Sequence, residues 1–90
     1  MSIQSFECGD TEALFTTGKC KRFANIAKVA TRKLVQLDAA TRIEDMEAPP
    51  GNDDLKEYDG AWHVRVNQQW RLTFKWSDSG PYDVKIEDPH

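Results

Sequence analysis

The chain has 90 residues, of which 39% are hydrophobic and 30% charged, and its formal net charge is −3. This balance is typical of a folded protein and excludes an intrinsically disordered segment, so we expect one domain over residues 1–90. No apolar run approaches membrane-spanning length, and the N-terminus lacks the pattern of a signal peptide, which predicts a cytoplasmic protein. In that compartment, Cys8 and Cys20 are expected to be reduced thiols.

Acidic and basic residues are segregated along the chain. No acid lies between Glu12 and Asp38, although this interval contains six lysines and arginines. From Glu44 to Asp59 the balance reverses, with seven acids against Lys56. The net charge of the whole chain therefore underestimates the local charge that an individual surface presents to a binding partner.

The first half of the sequence predicts short elements followed by one amphipathic helix. "SIQSFEC" predicts a strand, and Asp10 is expected to cap a short helix that runs through Phe15 and is ended by Gly18. A second helix is predicted from about Lys21 to Leu37, because apolar residues recur there at three- and four-residue spacing. Its buried stripe would be Phe23, Ile26, Ala27, Ala30, Leu34 and Leu37. Its reverse side, with Lys21, Asn25, Lys28 and Arg32, is either a solvated surface or a partner-binding one.

A short helix and a loop are predicted next. "TRIE" has the form of a capping box, with Thr41 at the cap and Glu44 three residues later. Pro49 and Pro50 are expected to stop this helix. The segment "PPGNDDLKEYDG" shows no clear periodicity and is predicted to be a polar loop.

After this loop the hydrophobic period changes to two. Three strands are predicted in an antiparallel meander, with a tight turn at Asn67 and Gln68 and a second turn at "SDSGP". One sheet face would pack against the helices through Trp62, Val64, Val66, Trp70, Leu72, Phe74, Trp76, Tyr82, Val84 and Ile86. The predicted fold class is therefore α+β, with helices first and the sheet after.

The other sheet face is polar and partly cationic. It would present His63, Arg65, Arg71, Thr73, Lys75, Asp83, Lys85 and Glu87. Such a face is either an ordinary solvated surface or a binding surface. The sequence shows no glycine-rich phosphate loop, no metal-ligand cluster and no serine or cysteine nucleophile with its base, so neither cofactor nor metal is expected.

Several segments, in order along the whole chain, resemble the HigB-type toxins of the RelE superfamily. They are "SFECGDTEALFTTGK", "RKLVQLDAAT", "EDMEAPPGN", "VRVNQQWRLTFKW" and the terminal "EDPH". The resemblance implies a fold in which an N-terminal strand and helices pack on one face of a small antiparallel sheet. It also implies a ribosome-dependent endoribonuclease that cuts messenger RNA without a metal. The implied partner is a HigA-type helix-turn-helix antitoxin, through which the complex binds operator DNA.

The resemblance also assigns candidate site residues. Arg71 matches the family's "W-R" arginine, and Asp88 and His90 match its terminal "D-Y-H" motif, whose tyrosine is Pro89 here. Lys56 lies where some members have a catalytic lysine. The implied roles are stabilisation of transition-state charge by Arg71, proton transfer by His90, orientation by Asp88 and auxiliary electrostatics by Lys56. The polar sheet face adds three candidate RNA-binding residues, Arg65, Lys75 and His63.

Two alternatives of other classes stay open at this point. One is a non-enzymatic protein of the same fold: a ParE-like inhibitor of DNA gyrase, or a toxin whose catalysis has decayed and that binds only its antitoxin. The other is a general protein-interaction domain. Arg71 and His90 favour the nuclease, because a gyrase inhibitor does not need them in this arrangement.

Overall fold

Two layers, one of helices and one a sheet, make up the part of the chain that the computed structural model describes, residues 3–46 and 55–88. The helix layer has α1 (Gly9–Thr17) and α2 (Ala27–Ala39), with 3₁₀ helices at Lys21–Phe23 and Ile43–Met46. The sheet is antiparallel, in the order β1 (Lys56–Tyr58), β2 (Ala61–Arg65), β3 (Arg71–Ser77) and β4 (Gly80–Glu87). The predicted α+β class is confirmed. None of the helices described is long and apolar enough to cross a membrane.

The predicted N-terminal strand is reduced to an extended segment that runs beside β4. Phe6 forms a single parallel bridge with Val84. Backbone hydrogen bonds run from the N–H of Gln4 to the carbonyl of Pro81 (2.7 Å) and from the N–H of Glu7 to the carbonyl of Val84 (3.0 Å). The segment therefore covers the outer edge of β4 without forming a regular strand.

Helix α1 begins earlier than predicted and ends where predicted. Its N-cap is Cys8, so the prediction that Asp10 caps the helix is wrong; Asp10 lies inside the first turn. Gly18 closes the helix with a φ of 76°, and its N–H donates to the carbonyl of Leu14. Glycine tolerates this left-handed conformation because it has no Cβ.

The predicted helix from Lys21 to Leu37 is divided into two pieces. A 3₁₀ turn at Lys21–Phe23 leads through residues 24–26 into α2, which begins at Ala27 and runs on to Ala39. The buried stripe nevertheless follows the prediction, since five of its six members are buried and Ala27 is partly so. Side-chain burial was thus predicted more accurately than the path of the backbone.

The predicted capping box uses a different carboxylate. The N–H and hydroxyl of Thr41 donate to Asp45 Oδ2 (2.9 and 3.0 Å), so the partner is Asp45 and not Glu44. These two hydrogen bonds lower the pKa of Asp45, with a smaller contribution from the neighbouring Arg42. The helix that follows is a short 3₁₀ helix, and the stop predicted at Pro49 and Pro50 lies outside the described residues.

The end of the predicted polar loop is a strand. Lys56–Tyr58 pairs with β2, and Asp59 and Gly60 form the turn between the two strands, both with positive φ (52° and 82°). Two consecutive positive φ values define the type I′ turn that hairpins prefer, and Asp-Gly is one of its characteristic dipeptides. The sheet therefore has a fourth strand, and the rest of the predicted loop lies outside the described residues.

The connection from β2 to β3 is longer than the two-residue turn predicted. It spans residues 66–70, and the side-chain oxygen of Asn67 accepts hydrogen bonds from the N–H groups of Gln69 (2.8 Å) and Trp70 (2.7 Å). Asparagine thus organises this turn through its side chain.

An irregularity in β4 changes the face that Tyr82 occupies. The step from Thr73 to Lys75 on β3 is matched by a longer step from Lys85 to Tyr82 on β4, and Asp83 has a positive φ of 51°. Such a bulge reverses the alternation of side chains beyond it. Directly paired residues share a face, so Tyr82 lies on the side of Lys75. The prediction that Tyr82 faces the helices is wrong.

The core lies between the helices and one face of the sheet. Its fully buried members include Leu14, Phe23, Leu34, Leu37, Met46, Val64, Leu72, Phe74 and Val84. Trp62, Trp70 and Trp76 are partly buried against it, and the ring of Trp70 meets that of Phe23 edge-to-face at 5.2 Å. The prediction that the tryptophans are core residues is confirmed. Among the residues that the structure describes, no helix packs on the opposite face of the sheet, which is called the open face below.

Candidate functional site

The open sheet face arranges its polar residues in rows across the strands. Strand pairing places Lys56, His63, Thr73 and Lys85 in one row and Arg65, Arg71 and Glu87 in the next. Neighbouring strands lie about 4.8 Å apart, so the side chains of paired residues interact. The row and the strand of each charged residue therefore determine which other charged residues lie beside it.

On the β3–β4 side of this face, lysines are neutralised by carboxylates. Lys75 pairs with Asp83 (3.7 Å), and Lys85 pairs with Glu7 (3.2 Å) and Glu87 (3.4 Å). The hydrogen bond that Lys85 donates to Glu7, followed by the charges of Glu87 and Glu7, raises the pKa of Lys85 against the opposing effect of its partial burial. This half of the face offers little net charge to a ligand.

On the β1–β2 side, three cations, Lys56, Arg65 and Arg71, lie close together. Neither Lys56 nor Arg71 forms an ion pair with an acid in the described parts of the chain. Arg65 and Arg71 stand directly opposite each other on neighbouring strands. Like charges in that position destabilise a sheet, and an anion bound between them would remove the repulsion.

These cations surround a pocket of about 370 Å³. The described residues that line it are Lys56, Tyr58, His63, Arg65 and Arg71. Arginine presents its N–H groups in a fork that matches phosphate oxygens, and lysine adds a compact positive charge. The pocket is therefore suited to a phosphate group or another anion.

His63 occupies the row between Lys56 and Thr73 and forms part of the pocket wall. Its Nδ1 is buried and has no hydrogen-bond partner among the residues described. Buried polar atoms without a partner are uncommon in native proteins. The ring of Tyr58 meets the imidazole edge-on, with ring centres 6.1 Å apart.

The structure brings together four of the seven residues predicted for the site, namely Lys56, His63, Arg65 and Arg71. Lys75 is not among the pocket residues and pairs with Asp83. Asp88 follows β4 and accepts a hydrogen bond from the side-chain amide of Gln69 (3.3 Å), in the β2–β3 connection. His90 lies outside the described residues.

Tyr58 lines the pocket but was not among the predicted site residues. Its segment was interpreted as a loop, so no face was assigned to it. The Asp-Gly dipeptide after Tyr58 was the available signal, because it predicts a hairpin and therefore a strand before it. In that strand, Lys56 and Tyr58 alternate with Glu57 and so share a face.

Fold and site together define a small α+β protein with a cationic pocket on the open face of its sheet. Over residues 4–90 the chain matches the family described as "RelE-like toxin of type II toxin-antitoxin system HigB", and it belongs to that family. It is 39% identical over 70 residues to Toxin HigB-1 of Vibrio cholerae serotype O1 (strain ATCC 39315 / El Tor Inaba N16961). This match covers 74% of the present chain and 73% of the relative. The protein is thus a toxin of a type II toxin–antitoxin system, whose partner is an antitoxin.

Proposed function

We propose that this toxin is an endoribonuclease that cuts messenger RNA in the decoding site of the ribosome. The observation that carries the proposal is the group of three cations that line the pocket, Lys56, Arg65 and Arg71, with Arg65 directly opposite Arg71. A phosphodiester is the anionic group that a nuclease must hold, and this arrangement matches it. Membership of the RelE-like HigB toxins supports the same activity.

The proposed reaction uses the 2′-hydroxyl of the RNA as nucleophile. This hydroxyl loses its proton to a base, its oxygen forms a bond to the neighbouring phosphorus, and the bond from phosphorus to the 5′-oxygen breaks. The departing 5′-oxygen takes up a proton. The products are a 2′,3′-cyclic phosphate and a free 5′-hydroxyl, and the reaction consumes no other reactant.

Arg71 stabilises the extra negative charge that develops on the phosphate oxygens in the transition state. Its place in the pocket beside Arg65 supports this role. Lys56, which lines the same pocket, adds a second positive charge. Charges fixed in position before the reaction need no rearrangement as the transition state forms, which makes such stabilisation effective.

His90 transfers a proton and Asp88 orients the base in this proposal, as the family's terminal motif implies. Histidine is suited to proton transfer because it changes protonation near neutral pH. Asp88 follows Glu87, the last residue of β4, which lies opposite Arg71 in the strand register; the chain therefore leaves β4 at the row of the sheet that contains both pocket arginines. This path supports the participation of the C-terminal residues.

RNA binding extends beyond the reacting phosphate. Arg65 and His63 contact the RNA strand from the pocket wall, and Lys75, whose charge is partly neutralised by Asp83, makes a smaller contribution from farther along the same face. We also propose that residues 1–90 are a single domain in the cytoplasm and that the antitoxin is of the HigA type. We propose further that the complex of the toxin with this antitoxin binds operator DNA through the antitoxin.

Substitution of Arg71 tests the proposed function. Cells that express Arg71→Ala without antitoxin are expected to grow, because the loss of a transition-state donor lowers the rate of cleavage by about a hundredfold or more. Growth after induction measures the effect. Co-purification with the antitoxin shows that the variant is folded, which is expected because Arg71 is exposed on the open face.

Arg32→Ala is the matched control, since Arg32 is an exposed arginine on α2, in the other layer of the fold. It should arrest growth as the wild type does. Full growth arrest by Arg71→Ala would remove Arg71 from the site and leave the nuclease assignment without its main support.

A further inference from the structure

An aromatic ring lies open to solvent at the edge of the cationic pocket. Tyr58 is 68% exposed, more than Val29 (37%) or Val35 (55%), the other large hydrophobic residues that are exposed in the described parts of the chain. Its cross-strand neighbour is Ala61, whose methyl group is too small to cover the ring. Exposure of an aromatic ring carries a hydrophobic cost that a bound ligand would remove.

The position of this ring is fixed by the hairpin that carries it. Asp59 and Gly60 close β1 onto β2 in a two-residue turn, so Tyr58 is the last residue of its strand and is paired with the first residue of the next. The ring also meets the imidazole of His63 edge-on at 6.1 Å. Tyr58 is thus held in place at one side while most of its surface stays accessible.

The residues around Tyr58 indicate what kind of ligand its ring would bind. Tyr58 lines the same pocket as Lys56, Arg65 and Arg71. Each nucleotide of an RNA strand carries a phosphate and a flat base. The cations can hold the phosphate, and stacking of the base on an exposed aromatic ring is a general means of binding single strands. An anion without a flat ring would use the cations and leave Tyr58 exposed.

We propose that Tyr58 is the stacking platform for a nucleobase of the RNA strand whose phosphate occupies the cationic pocket. This inference rests on the proposed function, since it takes messenger RNA as the ligand. It adds a base-binding subsite to the phosphate-binding one. Stacking accepts any base, so the subsite contributes affinity and position more than sequence selectivity.

The test places 2-aminopurine, whose fluorescence is quenched by stacking, at each position of the decoded codon in turn. The message is bound to ribosomes and carries 2′-deoxyriboses at that codon, so that it is not cleaved. With wild-type toxin, quenching is expected at one of the positions. Tyr58→Phe should keep it, because the ring is retained, and Tyr58→Ala should abolish it and weaken binding by about tenfold.

Val35→Ala is the matched control, because it also truncates an exposed hydrophobic residue, on α2 in the helix layer. It should behave as the wild type. Thermal unfolding of the three variants identifies any loss of folding, which is not expected at exposed positions. Quenching and affinity that are unchanged in Tyr58→Ala would overturn the proposal.

An all-ribose message run in parallel separates this inference from the proposed function. If wild-type toxin cleaves that message while Tyr58→Ala quenches normally, the stacking role fails and the nuclease stands. If wild-type toxin neither binds the ribosome complex nor cleaves the message, the proposed function fails and the stacking role fails with it.

Discussion

At the level of single residues, the cations of the sheet face differ in whether a carboxylate accompanies them. Lys75 and Lys85 have carboxylate partners, whereas Lys56 and Arg71 form no ion pair with an acid in residues 3–46 and 55–88. The sequence predicts that Arg71, Lys75 and Lys85 lie on one face, because period-two alternation fixes the face of a strand, whereas Lys56 was interpreted as part of a loop and was assigned no face. It does not predict which of them pair, since that depends on the strand register and on Glu7, far away in the chain.

Cys8 is a second residue whose surroundings set its chemistry. Burial raises the pKa of its thiol, but hydrogen bonds from Thr11 and from the backbone of Asp10, and the nearby charge of Arg22, outweigh that effect and lower the pKa below its ordinary value of 9.0. The Arg22 guanidinium lies 3.9 Å from Cys8 Sγ. The N-terminus of a helix commonly favours a thiolate in this way.

We therefore expect Cys8 to be alkylated at a lower pH than an ordinary thiol. The thiolate is the reactive form, so a lower pKa moves the midpoint of the reaction rate to lower pH. Iodoacetamide labelling of the Cys20→Ser variant, followed over pH, measures Cys8 by itself. Arg22→Gln should move the midpoint upwards, and a wild-type midpoint at or above 9.0 would contradict the interpretation.

At the level of elements, the outer edge of β4 is covered by the start of the chain. Residues 4–7 supply backbone hydrogen bonds to β4, and the buried hydroxyl of Thr11 in α1 accepts one from the N–H of Ile86 (2.9 Å). An uncovered edge strand is a site for pairing with other chains. The N-terminal segment and α1 together therefore close one side of the sheet.

Thr11→Val should destabilise the protein by about 1–3 kcal/mol, because it leaves the buried N–H of Ile86 without a partner while preserving the shape of the side chain. The free energy of unfolding in urea measures the effect. Thr16→Val is the control in the same helix, since its hydroxyl is exposed and bonds the carbonyl of Glu12. Equal stability of the two variants would show that the Thr11 hydrogen bond does not hold α1 to β4.

Elements with strong hydrophobic periodicity were predicted well, and those set by local backbone geometry were not. The apolar stripe of α2 and the alternation in β2 and β3 follow from burial of one face against the core. The break before Ala27, the bulge at Asp83 and the long β2–β3 turn depend on backbone conformations that the hydrophobic pattern does not encode. The bulge also turned Tyr82 away from its predicted face.

At the level of the whole molecule, the helix layer and the sheet have different roles. The helix layer buries one face of the sheet and so provides stability, while the opposite face, which no described helix covers, carries the pocket. Antiparallel strand pairing places residues distant in the sequence, such as Lys56 and Arg71, around one site. The resemblance to HigB-type toxins supplied Lys56 and Arg71 as site residues, and the pocket adds Tyr58, which that resemblance did not assign.

The proposed function requires that this pocket hold a phosphodiester during attack by the neighbouring 2′-hydroxyl. Wild-type toxin incubated with ribosomes carrying an end-labelled message allows the chemistry of the new RNA ends to be determined directly. A 2′,3′-cyclic phosphate is expected on the upstream fragment and a 5′-hydroxyl on the downstream one. A message that stays intact, or ends that are a 3′-hydroxyl and a 5′-phosphate, would contradict the proposed function.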